Sequence, residues 1–480
     1  MPGELERRVI RGVAFVLVVV VGGLAARRCL EIPSVVVPPR GQLVLHDVTL
    51  IQPGSGHLAH ADVWVLGDRI EKIERSASSP RASGSPYEGS FVTPGLIDMH
   101  FHVPPWWAPG QAELFNLLLL LHGVTTVRDM GTIDGRVFEL RESIRRGERA
   151  GPRIFACGQP LDGEPPTWPF ARVIRTESEA EQAVIDLVAS GADCIKVYSR
   201  IAPSVLSALQ RSAQSGGVPL VGHLPESSPW TEDRVGDLQH LCDPRCWTMS
   251  DANADDLVRT AMVSHLAHTP TLVVFAMQLE MYDYETARAR PSVALLPRFW
   301  LEVLWNPRYR LGFEAPTGEV AEQRTRHEVL FRRLLETVRQ MHRQGVRLHA
   351  GTDPPNPLVI PGASLHEELR LLVRAGLTIE EAWVAATATA GESLAEPGLG
   401  TVSEGAPADL LIFERDPTTD LDSLSTLEAV VADGRLFRKE ALERDLALQR
   451  QRFEDPIFDG VSRWVAYVTA EAVRRFDAHP

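Results

Sequence analysis

Residues 92–103 read VTPGLIDMHFHV. An apolar run from Leu96 follows a Pro94-Gly95 turn and ends in two histidines one residue apart, His100 and His102. In a strand, positions i and i+2 face the same way, so both imidazoles point together. Two imidazoles side by side in an apolar interior cost free energy unless something satisfies them. A divalent metal does so, since imidazole is a favoured zinc ligand. A hydrogen-bonded pair of core histidines is the plain alternative, and the pattern alone does not separate the two.

The chain around this stretch sets its context. From Leu96 onward, short apolar runs alternate with helical or loop stretches. The runs are GVTTVRDMG (123–131), GPRIFACG (151–158), DCIKVY (193–198), VPLVGHLP (218–225), VGDLQHLCD (235–243), HTPTLVVF (268–275) and VRLHAGTD (346–353). SEAEQAVIDLVASGA (178–192) reads as a helix stopped by Gly191, and HEVLFRRLLETVRQMHRQG (327–345) as another. With the first run these make eight strand candidates. Repeated βα units of this length predict an α/β chain with a (β/α)8 TIM-like barrel over 92–396. The stretch 276–325 is too long for a simple connection and rich in aromatics and proline, so it reads as a lid or wall over the site.

The flanks have a different rhythm. Residues 42–74 alternate as strands do, with Gly67-Asp68 at a hairpin turn, and residues 75–90 read as a Ser/Pro/Gly-rich loop. Strand patterns return in GLGTVSEGAPADLLIFERDP (398–417) and LEAVVADGRLF (427–437). The two sets flank the barrel, so residues 41–91 and 397–438 are expected to pair into a small composite β-sandwich domain. The tail, 439–480, is charged and helical.

The N-terminus differs in kind. Arg7, Arg8 and Arg11 precede fifteen uncharged residues, Gly12 to Ala26, and Arg27 and Arg28 follow. A basic region, an apolar core and small residues after it read as a secretory signal. A spanning helix needs about 20 apolar residues, so the run is short for a permanent anchor. Residues 1–30 are expected to be a signal peptide or an N-terminal anchor, with a buried helix as the third reading. The protein is thus expected to be exported, periplasmic or extracellular, with membrane contact through this segment if it stays attached.

Bulk numbers exclude other classes. The 480 residues are 44% hydrophobic, with a formal net charge of -14. That supports a large core, and the acidic balance argues against a nucleic-acid partner. Five cysteines are too few for a disulfide scaffold; Cys242 and Cys246 read as a disulfide in an oxidising compartment or, at such short spacing, as free thiols, the favoured reading.

Polar residues close several of the predicted strands. Lys196 stands in an otherwise apolar run, with Cys194 and Tyr198 on the same face; a buried lysine is rare and usually functional or paired. His223, His240 and Asp353 each lie at the C-terminal end of a predicted strand, where barrel enzymes keep their active sites. Any one alone is an ordinary satisfied polar residue; His100, His102, Lys196, His223, His240 and Asp353 together are a constellation.

At this point the chain resembles the amidohydrolase superfamily, in particular its imidazolonepropionase-like and prolidase-like members. The resemblance covers nearly the whole chain after the leader. It rests on TPGLIDMHFH, GVTTVRDMG, SGADCIKVY, PGASLHEELRLLVRAGLTIEEAWVAATATAG and GLGTVSEGAPADLLIF. It implies two divalent metal ions, with zinc the first choice and manganese, cobalt and iron as alternatives. His100, His102 and Asp353 would hold the more buried ion, His223 and His240 the second, and a carbamylated Lys196 would bridge both. It further implies a shared hydroxide, with Asp353 as general base and then acid. The activity implied is hydrolysis of an amide or peptide bond in a small peptide or N-acyl amino acid. Cyclic amides, lactones and organophosphate esters are the enzyme alternative. A non-catalytic barrel binding protein is the other, and the presence of Asp353 argues against it. A homo-oligomer is compatible with the fold.

Other residues carry two readings. Tyr198 reaches the substrate or simply packs. Arg128 and Asp129 read as a buried brace, His366 as a helix-start structural residue, and His265, His268 and His349 as packing or surface residues. HLPE (223–226) is similar to a deaminase pattern, but Lys196 speaks for the dinuclear type. Where many relatives carry Gly-Gly-His after the third strand, this chain has CGQPLDGEPPTWPF (157–170), which weakens any substrate preference carried over.

Overall fold

The computed structural model describes residues 31–76, 86–105, 107–132, 135–223, 236–241, 266–307 and 320–477, with positions 255, 258, 259 and 262. The leader, Leu224 to Glu226, Cys242, Cys246 and His265 lie outside them.

The chain opens as an antiparallel meander of β1 (Gln42–Gln52), β2 (Gly56–Leu66) and β3 (Arg69–Arg75). Gly67 takes the turn at φ +64°, a left-handed conformation that favours glycine. β4 (Phe91–Pro94) then pairs in parallel with β1. The barrel strands follow. β5 (Leu96–Phe101), β6 (Val124–Asp129) and β7 (Arg153–Ala156) form one parallel sheet. β8 (Leu161–Asp162), β9 (Arg172–Val173), β10 (Ile195–Val197), β11 (Leu220–Gly222), β12 (Asp237–Gln239) and β13 (Ala267–Thr269) form a second, in the order β13-β12-β11-β10-β8-β9. The last barrel run is held on both sides: Leu348 bridges His268 in parallel, and Met99 N donates to Ala350 O at 3.0 Å.

Helices alternate with these strands: α1 (Gln111–Leu121), α2 (Arg136–Arg145), α3 (Glu177–Ala189), α4 (Pro203–Ser215), α5 (Leu272–Glu280), α6 (Val320–Arg343), α7 (Ala363–Ala375) and α8 (Ile379–Ala385). Local chemistry sets their ends. The Thr176 side chain accepts from Glu179 N to start α3, and Gly191, at φ +91°, follows its close. Thr378 and Glu381 form a reciprocal capping box on α8. α6 begins at Val320, earlier than the apolar periodicity alone shows.

After the barrel, β14 (Leu410–Phe413), β15 (Leu427–Ala432) and β16 (Arg435–Arg438) return to the first strands. β14 pairs antiparallel with β4, and the terminal strands join in one seven-stranded sheet, β16-β15-β14-β4-β1-β2-β3. Among the described residues this is a single curled sheet where two facing layers are expected. Its curl is visible in its bonds: Ile70 N donates to Ala406 O at 2.9 Å and Ala408 N to Asp68 O at 2.8 Å, tying the β3 end to the segment before β14. Ile70 and Val431, from distant strands, share one apolar core. Residues 92–94, read from sequence as the barrel's start, sit in this sheet, and the chain enters the barrel at Gly95. A Cβ there would lie 2.0 Å from Thr125 Oγ1, so only glycine fits the crossing. α9 (Lys439–Phe453) and α10 (Pro456–Asp477) form the tail.

Cys157 and Cys194 form a disulfide across a sequence separation of 37, stapling the end of β7 to the start of β10. The described part of 276–325 packs as a wall. Trp300 Nε1 donates to Gln111 Oε1 at 2.8 Å, and Trp305 Nε1 to Pro355 O at 3.0 Å, two residues beyond Asp353.

Candidate metal centre

The strand ends bring the six candidate residues to one place. His100 lies in β5, fully surrounded, and His102 follows it. Asp353 is the hub. Its Oδ1 lies 3.2 Å from His102 Nε2 and 3.5 Å from His100 Nε2, and its Oδ2 lies 3.6 Å from His240 Nε2. His100, His240 and Asp353 each offer a ligand atom within 4.8 Å of the others. The His223 ring packs on His240 with centroids 5.0 Å apart, and the Tyr198 ring on His223 at 4.7 Å. Lys196, wholly buried, holds its Nζ 5.1 Å from the Tyr198 ring centre. His102, His223 and Lys196 thus border the tight triple without belonging to it.

Two of these positions are strained. His240 and Asp353 have φ of +60° and +61° without being glycine. Backbone bonds hold them there: His240 N donates to Thr269 O at 2.9 Å and Asp353 N to His100 O at 2.7 Å. Such conformations persist only where the surroundings over-determine them, and they cluster at functional sites.

The hydrogen-bond partners decide what the rings can do. His100 Nδ1 faces Gln239 Oε1 at 2.8 Å, and His102 Nδ1 faces the Gly131 carbonyl at 2.9 Å. Both partners only accept, so each ring carries a hydrogen on Nδ1 and turns Nε2 toward Asp353, the nitrogen a cation would take in place of a proton. His240 Nδ1 meets Thr271 Oγ1 at 2.6 Å, with its Nε2 toward the same carboxylate. Convergent imidazole lone pairs around a carboxylate are a donor set that a divalent cation fits, with outer partners setting each tautomer.

Charge supports this. Burial pushes His100 well below the ordinary imidazole range, and the neighbouring positive charges of His240 and Lys196 push it further, so it is a neutral donor. For His102 burial acts downward but is outweighed by the hydrogen bond and charge of Asp353, so it ends raised. For Asp353 burial acts upward and is outweighed by its His102 bond and the nearby cations, so it stays below its usual value and ionised.

Beneath the cluster lies a polar layer in which Asp98, Asp237 and Gln239 join the expected brace of Arg128 and Asp129. Asp237 pairs with Arg128, accepts from Thr269 Oγ1 at 3.1 Å, and lies 3.1 Å from His349 Nδ1. Gln239 Nε2 donates to Thr269 Oγ1 at 3.3 Å, which carries the layer up to His100. Asp98 accepts from His100 N and Thr352 N at 3.1 and 3.0 Å, tying β5 to the run that ends in Asp353; burial raises it to about 7. Arg128 also donates to Met99 O at 3.0 Å, and Asp129 accepts from Val103 N at 2.9 Å, so the pair does brace the base. His349 belongs to this layer, while His268 is simply buried. The available signal was the spacing of Asp237 and Gln239, two polar residues at i and i+2 inside a buried strand.

Residues 91–437 match the amidohydrolase family, and the chain belongs to it. An uncharacterized protein of Mycobacterium tuberculosis is 25% identical over 78% of this chain and 91% of its own length. Adenine deaminase 2 of Rhizobium etli is 26% identical over 81% of this chain and 56% of its own. Among solved structures, bottromycin amidohydrolase superposes with a TM-score of 0.70 at 25% identity, covering 89% of this chain and 92% of its own. The protein is therefore a hydrolase of TIM-barrel fold from a metal-dependent family, with a candidate metal site at the barrel mouth.

Proposed function

We propose that this amidohydrolase is a dinuclear hydrolase that cleaves the amide or peptide bond of a small peptide or N-acyl amino acid. The observation that carries this reading is the convergence of three imidazole Nε2 atoms on the Asp353 carboxylate, with the buried Lys196 beside them. His100, His102 and Asp353 would hold one ion, and His223 and His240 the other. An ammonium between two cations is electrostatically untenable. Lys196 is therefore assigned as its carbamate: the ammonium gives up one proton to solvent, the free Nζ adds to the carbon of carbon dioxide, and the adduct gives up a second proton from nitrogen, so a cation becomes an anionic oxygen donor. Bound divalent ions would acidify a water and polarise the scissile carbonyl.

The chain's own groups supply the rest. Asp353, ionised at neutral pH, takes the proton released as water adds to the carbonyl carbon. It returns that proton to the nitrogen as the C–N bond breaks, so an acid and an amine leave. Tyr198, walled in against His223, is assigned to the substrate. The Trp300 to Trp305 wall limits access of water and bulk. The leader and the Cys157–Cys194 bond together support an exported enzyme, since disulfides persist in oxidising compartments.

The test is a chain lacking residues 1–30, loaded with zinc and bicarbonate and given dipeptides and N-acyl amino acids, beside Asp353→Asn. Turnover lost in the variant supports the reading. Two bound ions without turnover redirects it to lactones, cyclic amides and phosphotriesters. Absence of both turnover and metal overturns it.

A further inference from the structure

We infer that α10 lies on a lipid bilayer and that its outer face is a membrane-docking surface beside the point where the N-terminal segment joins the fold. This inference does not depend on the proposed chemistry.

The helix has two faces. Phe458, Ser462 and Ala466 are buried, and Arg463 pairs with Glu302 of the wall, so this side is fixed to the body. The opposite side carries Ile457, Trp464, Tyr467 and Val468, exposed by 59, 66, 51 and 46%. Their spacing keeps them on one stripe, about 16 Å long at 1.5 Å per residue. Scattered exposed apolar residues need no explanation, but a contiguous stripe does. Tryptophan and tyrosine are the side chains that favour the bilayer interface, where an apolar ring meets a wet edge.

The second observation is where the chain comes in. Arg452, at the end of α9, donates from Nε to Glu31 O at 3.0 Å, and its guanidinium lies 5.5 Å over the Phe458 ring. Gln449 Nε2 donates to Pro33 O at 3.4 Å. Glu31 is therefore pinned to the end of α9, one residue's reach from the start of α10. The apolar run from Gly12 to Ala26 ends five residues before Glu31. A chain extends about 3.3–3.6 Å per residue, so the run ends at most about 18 Å from this anchor point. The described chain thus begins beside the end of the molecule from which the exposed stripe runs. Burial of these apolar side chains among zwitterionic headgroups is the proposed source of the attachment.

The experiment uses the full chain reconstituted into phosphatidylcholine vesicles and into vesicles of the brominated lipid, which quenches nearby tryptophan. Residues 1–30 contain no tryptophan, so they cannot give the signal themselves. The expected result is quenching of part of the emission, with that part lost in Trp464→Phe. Absence of quenching, or quenching equal in the variant, overturns the proposal. A dimer in sedimentation that Trp464→Ser/Val468→Ser converts to monomer, without lipid quenching, overturns it in favour of a second copy of the chain.

Discussion

A histidine pair at the barrel mouth and another between two helix ends serve different purposes. His100 and His102 have ring centroids 5.3 Å apart at the barrel mouth; His122 and His366 have theirs 5.5 Å apart where α1 ends and α7 begins. Both pairs pack ring against ring in the interior, and burial lowers both His122 and His366, the latter to about 3. The difference lies in the bonds. His122 Nδ1 donates to Leu118 O and His366 Nε2 to His122 O, each at 2.8 Å, so the pair staples two helix ends. At the mouth, by contrast, main-chain and amide oxygens take only Nδ1, and each Nε2 is aimed at Asp353. What a buried histidine does is decided by the acceptor that faces its second nitrogen.

Substitutions that separate turnover from folding sharpen this contrast. The largest effect is expected for Asp353→Asn: loss of proton transfer costs about 10²–10⁴-fold in kcat, with the urea midpoint little changed. Wild-type-like turnover in that variant would remove Asp353 from the chemistry. Gln239→Leu strips His100 of its Nδ1 partner, and an outer-partner loss lowers metal affinity by about 10–100-fold. Competition with a fluorescent chelator reads this directly, and unaltered affinity would break the link between tautomer and binding. His366→Phe removes one staple bond, with an expected cost of about 1–2 kcal/mol in urea unfolding and no change in kcat per folded molecule.

The smallest effect is a matter of sign. The folded state holds His366 at about 3, below its usual 6.5, so the unfolded chain binds more protons between those values. The contribution of neutral His366 is complete above about pH 6.5 and is lost as pH falls toward 3. Thermal midpoints measured from pH 7 down to 4 should fall less steeply for His366→Phe than for wild type; equal slopes would show that the pair titrates normally.

Much of this was legible in the chain, because the barrel's alternation and the polar residues that close its strands are local patterns. The positions of His100, His102, His240 and Asp353 follow from strand ends alone. The left-handed conformations of His240 and Asp353 do not, since nothing in a non-glycine residue announces positive φ. The Cys157–Cys194 bond joins residues 37 apart that meet because β7 and β10 lie side by side, with Asp193 N donating to Ala156 O at 2.8 Å. Asp237 and Gln239 are masked in the sequence by His240, one residue on, which carries the stronger signal at the strand's end. The crossing at Gly95 was hidden for another reason: β4 and β5 form one nearly continuous apolar run, and only the crowding at Thr125 marks where one sheet stops and the other starts.

The seam between β4 and β14 has a consequence for biosynthesis. Every barrel strand is made between those two partners, so the first four strands leave the ribosome with one edge open and wait for the whole barrel before β14 arrives to close it. During that interval β4 is a bare template for other chains. A nascent polypeptide stalled before Leu410 would carry a folded or folding barrel and an uncapped sheet edge at once. Its fate would then rest with chaperones that shield β-strand edges until the last residues of the sheet emerge.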